Sequence, residues 1–160
     1  AVSQKEKSDY TSMVSANVYG HGKNVEIYIL PNPINQKLQF PDIIKQIISL
    51  HDIFGSGSPF YVENTAMQEY VIQDIQKEYG YINIKGVSVS GTDKRSRLAA
   101  ATHPMQNGNV YFPRKGAEKL ITQMLGFDTE NHDDLCDAFS LMVNETIRQS
   151  NVVLPEVMFV

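Results

Sequence analysis

Between Asn24 and Leu30, Val25, Ile27 and Ile29 alternate with Glu26, Tyr28 and Leu30, the period of a strand with one buried face. Thr11 to Tyr19 also favours a strand, and Gly20-His21-Gly22-Lys23 between the two supplies turn residues, which predicts a β-hairpin. Pro31 and Pro33 are expected to stop the second strand and open a loop. The period then lengthens. From Pro41 to Phe54, Ile43, Ile44, Ile47, Ile48 and Leu50 form a helical stripe, with Pro41 and Asp42 suited to the first turn and Gly55 to the stop.

Pro59 to Val62 reads as a buried strand ending in Glu63-Asn64, followed by a helix from Thr65 to Tyr79 and a strand from Ile82 to Val89. Strand–helix–strand at this spacing predicts a parallel crossover. Further helices are expected over Lys94–Thr102, Pro113–Leu125 and His132–Gln149, with a short strand at Asn109–Phe112 after the Asn107-Gly108 turn. The last helix carries the stripe Leu135, Phe139, Met142, Val143 and Ile147. The apolar tail from Ser150 to Val160, interrupted by Pro155, reads as a terminal strand or a joint. The pattern predicts a mixed α/β domain over residues 1–149 with a tail over 150–160.

Composition agrees with one domain: 160 residues, 42% hydrophobic and 20% charged, enough for a core and unlike a disordered acidic chain. No apolar run approaches the roughly 18–20 residues that cross a bilayer, and no secretory signal opens the chain. The single Cys136 excludes an internal disulfide framework and a multi-cysteine zinc site. Gly55-Ser56-Gly57-Ser58 is not followed by Gly-Lys-Ser/Thr, so it reads as a turn and not a phosphate-binding loop. A start at Ala1 instead of Met reads as a fragment.

The net charge of -4 conceals a segregation. Residues 94–117 hold Lys94, Arg95, Arg97, Arg114 and Lys115 and no acid, leaving nine basic residues against 18 acids elsewhere. Such a belt suits a phosphate-rich partner; a solvated surface loop has the same composition. Two acidic places complement it. Glu63 follows a strand, at the carboxyl end where open α/β sheets place ligands. In His132-Asp133-Asp134-Leu135-Cys136-Asp137-Ala138, the helical spacing puts Asp133 and Asp134 on the face of Asp137. Three carboxylates this close repel one another, which a divalent cation relieves, and losing one is expected to raise stability slightly. Asp133 also reads as a helix cap, whereas Asp137 lies too deep in the helix for that role. His132 stands beside the acids, where it is placed to orient a ligand or water, or simply to precede the cap. An acidic metal centre with a separate basic belt suits phosphodiester hydrolysis: two cations about 3.5–4 Å apart for the chemistry, Lys and Arg for the backbone.

Five segments, in order, carry a family resemblance: Lys7-Ser8-Asp9-Tyr10-Thr11, Tyr61-Val62-Glu63-Asn64, Gly91-Thr92-Asp93-Lys94-Arg95-Ser96-Arg97, Asn107-Gly108-Asn109-Val110-Tyr111-Phe112-Pro113 and His132 to Ala138. The chain resembles the C-terminal nuclease domain of the large terminase subunit of tailed bacteriophages and prophages. The resemblance implies a ribonuclease H-like mixed sheet with helices on both faces, and an endonuclease cutting concatemeric double-stranded DNA with two Mg²⁺ or Mn²⁺ ions. It implies Glu63, Asp134 and Asp137 as catalytic ligands with Asp133 less central, Lys94, Arg95 and Arg97 near DNA, and Asp9 as a supporting family feature. Arg114 and Lys115 extend that DNA-facing set from the charge pattern. The family's first acid would lie ahead of Ala1-Val2-Ser3-Gln4, so the resemblance implies a centre short of one carboxylate and a weakly active or inactive fragment. It further implies a preceding ATPase domain, a small subunit and a portal as partners, and the cytoplasm of a bacterial host, away from membranes. Resolvases and transposase-type nucleases of the same fold, or a non-catalytic DNA-binding assembly module, are the alternative readings.

Overall fold

The computed structural model describes residues 10–129 and 132–151. The predicted hairpin is present but broken in two. Strand β1 (Thr11–Met13) pairs antiparallel with β4 (Ile34–Gln36), and β2 (Ala16–Tyr19) with β3 (Glu26–Ile29). Between the two ladders, residues 14–15 oppose residues 30–33, so the second arm carries two extra residues. Pro31 and Pro33 thus interrupt the strand without ending it, and β4 is a strand the sequence did not predict. The bulge is fixed from outside: the Asn32 N–H donates to the Gly116 carbonyl at 2.8 Å, and Asn32 takes a φ of 61°. A Cβ on Gly116 would stand 2.6 Å from the Pro31 side chain, so only glycine permits this approach.

Helix α1 (Phe40–Phe54) follows, then β5 (Phe60–Glu63), α2 (Ala66–Glu78) and β6 (Ile84–Val87). β5 and β6 pair in parallel with Glu63 opposite Val87, as the crossover spacing requires. Helix α3 (Lys94–Gln106) runs a turn past its predicted end and contains Pro104. Strand β7 (Val110–Tyr111) adds in parallel to β3. Helix α4 (Glu118–Leu125) is shorter than predicted at its start: Gly116, at φ 93°, breaks the helical path, and its N–H donates to the Glu118 carboxylate at 2.9 Å. Helix α5 (Asp134–Ser150) is last. The described strands form three small sheets, β1-β4, β2-β3-β7 and β5-β6. The single mixed sheet expected from sequence is therefore not seen among the described residues; the proline-bounded bulge separates β1-β4 from β2-β3.

Two apolar clusters organise the packing. Val25, Ile27 and Ile29 of the β3 arm meet Ala101, Leu120, Leu135, Phe139 and Val143 from α3, α4 and α5. Ile44, Ile47, Val71, Ile72, Ile75, Ile82 and Ile84 join α1 and α2 to β6. β5 lies between helices: Phe60 and Val62 pack on the second cluster, while Tyr61, on the opposite face by the two-residue period, lies by Glu145 and Arg148 of α5. No helix among the described residues is long and apolar enough to cross a membrane. Asp9 and the apolar residues 152–160 lie outside the described residues.

Candidate functional site

α3 starts where Asp93 caps it. Its carboxylate accepts the Ser96 N–H at 2.8 Å and the Ser96 hydroxyl at 2.9 Å, and these bonds hold its pKa below the ordinary carboxylate value. From that start Lys94 and Arg97, three residues apart, reach the carboxylates of α5. Lys94 Nζ donates to both oxygens of Asp133, at 2.9 and 3.0 Å, and lies 2.7 Å from Asp137 Oδ2. Arg97 donates to Asp137 Oδ1 at 3.2 Å and to the Thr92 carbonyl at 2.7 Å. Burial alone would lower the Lys94 pKa, but its hydrogen bonds to Asp137 and Asp133 outweigh this and raise it.

The basic belt and the acids are thus not separate. The belt's helix supplies the cation that lies between Asp133 and Asp137, so the repulsion between these two is offset, while Asp134 still feels the Asp133 charge. Arg97, only 13% exposed at its side chain, is committed between α3 and α5, and its carbonyl accepts the Asn144 amide at 3.0 Å. Asp133 occupies the cap position of α5 yet makes no side-chain cap bond; its carboxylate is taken by Lys94. Buried Gln123 of α4 serves the helix start instead, its Oε1 accepting the Leu135 N–H at 2.9 Å. A polar residue three positions after Leu120 on the α4 stripe was the one signal of that role.

Asp134 differs from its neighbours. Burial and the adjacent Asp133 charge push its pKa up, partly offset by His132, whose Nδ1 is 4.0 Å away, and by Lys94. His132 packs its ring against Tyr10, with centroids 5.0 Å apart. Cys136, buried between these acids, has its thiol pushed up to about 12 by burial and is inert near neutrality. Arg95 pairs with Asp128 after α4, while Arg114 and Lys115 are exposed in the turn before it. Glu63 ends β5 on the same strand face as Tyr61, half-buried.

The acids fit a hard divalent cation in their chemistry: all donors are carboxylate oxygens, and Asp133 and Asp137 already converge on one positive charge. They do not amount to a two-ion centre. Among the described residues, no three His, Cys, Asp or Glu side chains are grouped closely enough to hold one ion. Glu63, Asp134 and Asp137, expected to act together, are therefore not drawn into one cluster.

The sequence matches no protein-family model and no curated protein. The fold, however, is similar to that of the large terminase nuclease from thermophilic phage G20c, solved with bound zinc. The likeness has a TM-score of 0.58 at 14% identity and spans 86% of this chain and 82% of that one. The chain thus has the fold of a terminase nuclease, in agreement with the resemblance carried by its five short motifs.

Proposed function

We propose that this chain is a nuclease domain of the phage DNA-packaging type, an endonuclease hydrolysing the phosphodiester backbone of double-stranded DNA with divalent cations. The observation that carries the reading is the convergence of Asp133 and Asp137 on one positive group, the Lys94 ammonium, in a fold shared with a terminase nuclease. In this reading Asp137 and Asp133, with Asp134 beside them on α5, would hold Mg²⁺ or Mn²⁺, and Glu63, which stands outside that group in this structure, would have to approach to join them. The zinc of the phage G20c nuclease supports a divalent cation, and an all-oxygen donor set favours the harder ions. When bound, such cations supply an activated water and stabilise the leaving oxygen.

The chain's own residues do the remaining work. Arg97 holds the Asp137 carboxylate in place on α5, and Lys94 would leave Asp133 and Asp137 for them to take a divalent cation. Arg95, Arg114 and Lys115 attract the phosphate backbone without reading base edges, so cleavage shows little sequence preference. An ATPase domain, a small subunit and a portal are the partners this reading assigns to the whole terminase.

Thermal unfolding with Mn²⁺, run beside a cleavage assay on supercoiled and linear DNA of arbitrary sequence, tests the proposal. Mn²⁺ is expected to raise the Tm of the wild type and not that of Asp137→Asn, and cleavage to be lost in EDTA. If neither Mn²⁺ nor Mg²⁺ moves the Tm and no DNA is cut, the reading fails.

A further inference from the structure

A recess of about 260 Å³ opens beside the acids, lined by Tyr10, Asn35, Lys119, Thr122, Gln123 and His132. Four separate parts of the chain build it. Tyr10 precedes β1, Asn35 lies in β4 with its side-chain oxygen taking the Ser12 hydroxyl at 3.0 Å, and Lys119 to Gln123 belong to the first turns of α4. His132 closes it at the approach to α5.

The charge around its Tyr10 wall is positive, Lys119 lining the recess and Lys37 standing beside it. Lys37 Nζ lies 5.4 Å and Lys119 Nζ 6.0 Å from the centre of the Tyr10 ring, whose other neighbour is the His132 ring at 5.0 Å. Among the described residues neither lysine is ion-paired with a carboxylate. The basic belt does not contribute to this cluster: Lys37 precedes it in sequence, and Lys119 follows it. Two ammonium groups close to one aromatic ring form a site for an anion attached to a flat or apolar body, the composition of a nucleotide unit.

His132 ties the recess to the acids, since its Nδ1 is 4.0 Å from Asp134. We propose that this recess is a phosphate-binding subsite that holds the backbone of a DNA strand beside the acidic centre. Lys37 and Lys119 contact phosphate, and Tyr10 contacts the sugar or base. The inference rests on the nuclease reading for its substrate class, but its chemistry requires only a polyanion.

The test is binding alone, without catalysis. Fluorescence polarisation of a labelled DNA duplex is followed in EDTA across a range of salt for the wild type and for Lys37→Gln/Lys119→Gln. Lys45→Gln/Lys77→Gln, which removes two exposed charges on α1 and α2, is the control of equal charge. The recess variant is expected to bind several-fold more weakly at fixed salt. The slope of log K against log salt should fall by about 1.8, two contacts at about 0.9 each. The control should keep a slope nearer the wild type, and Tyr10→Leu should weaken binding with the slope unchanged. Circular dichroism confirms that each variant is folded.

Wild-type affinity and slope in a folded recess variant overturn the subsite, and so does an equal loss in the control. The nuclease reading survives either result if Mn²⁺-dependent cleavage persists. A wild-type protein that binds no duplex overturns the subsite, and the nuclease reading falls with it only if cleavage and the Mn²⁺ shift are absent as well.

Discussion

The two halves of the core obey different rules. Around α1 and α2, seven aliphatic residues pack against β6 with no charged group among them, and only β5 brings chemistry there, in Glu63. Around α3, α4 and α5, the core is equally apolar, with Phe139, Leu120 and Leu135 fully buried, but its rim is ionic. Lys94 and Arg97 join α3 to the carboxylates of α5 directly above that core. The first half is held chiefly by apolar burial and the β5-β6 ladder, with ion pairs only at exposed positions. In the second, the groups proposed for function also hold the scaffold, so function and stability are coupled there and independent elsewhere.

The largest effect that tests this contrast is in the α5 core. Phe139 is 0% exposed and stacks on Phe112 at 5.8 Å, so Phe139→Ala should cost about 3–5 kcal/mol. Ile75→Val, in the other half, should cost about 0.5–1.5 kcal/mol, and urea unfolding measures both. A loss below that of Ile75→Val would remove α5 from the centre of the structure.

Next comes the ionic rim. Asp137→Asn should lower stability by about 1–3 kcal/mol, because it leaves the nearly buried Arg97 without its charged partner. This reverses the rise expected from the acids alone. A stabilised variant in the same urea experiment would show that repulsion between carboxylates outweighs the two cations.

A smaller, pH-dependent effect belongs to Lys94. Its folded pKa is raised above the ordinary 10.5, so the stability it contributes is complete below that value. It is lost as pH rises from there through the folded pKa. Stability measured from pH 9 upward should therefore fall more steeply in the wild type than in Lys94→Gln. Parallel curves would mean that the bridge to Asp133 and Asp137 contributes nothing. Last, Lys45→Gln breaks only the exposed pair with Asp42 at 3.5 Å, and thermal unfolding should register less than about 0.5 kcal/mol. A larger loss there would give the aliphatic half an ionic component after all.

Local pattern was sufficient for most of the elements. The alternation of Val25, Ile27 and Ile29, the α5 stripe and the β5–α2–β6 crossover all emerged as read, since each is set by a period of two or 3.6 and by the need to bury one face. Where reading failed, distant contacts had overridden local propensity. Pro31 and Pro33 look like a strand end, but β4 resumes because Gly116, more than eighty residues away, holds the bulge. Pro113 to Ala117 looks helical and is not, for the same contact.

For the candidate site the division is sharper. The sequence by itself determined that Asp133, Asp134 and Asp137 share one turn and a half of helix, and that Lys94 and Arg97 share another, because helical spacing is a local property. Only the tertiary structure decided that these two sets face each other. It likewise decided that Gln123 completes the start of α5, and that Tyr10, Lys119 and His132 meet in one recess with Lys37 beside the Tyr10 ring. Those encounters depend on how α3, α4 and α5 pack over β3, and no spacing within a single segment encodes the distance between two helices.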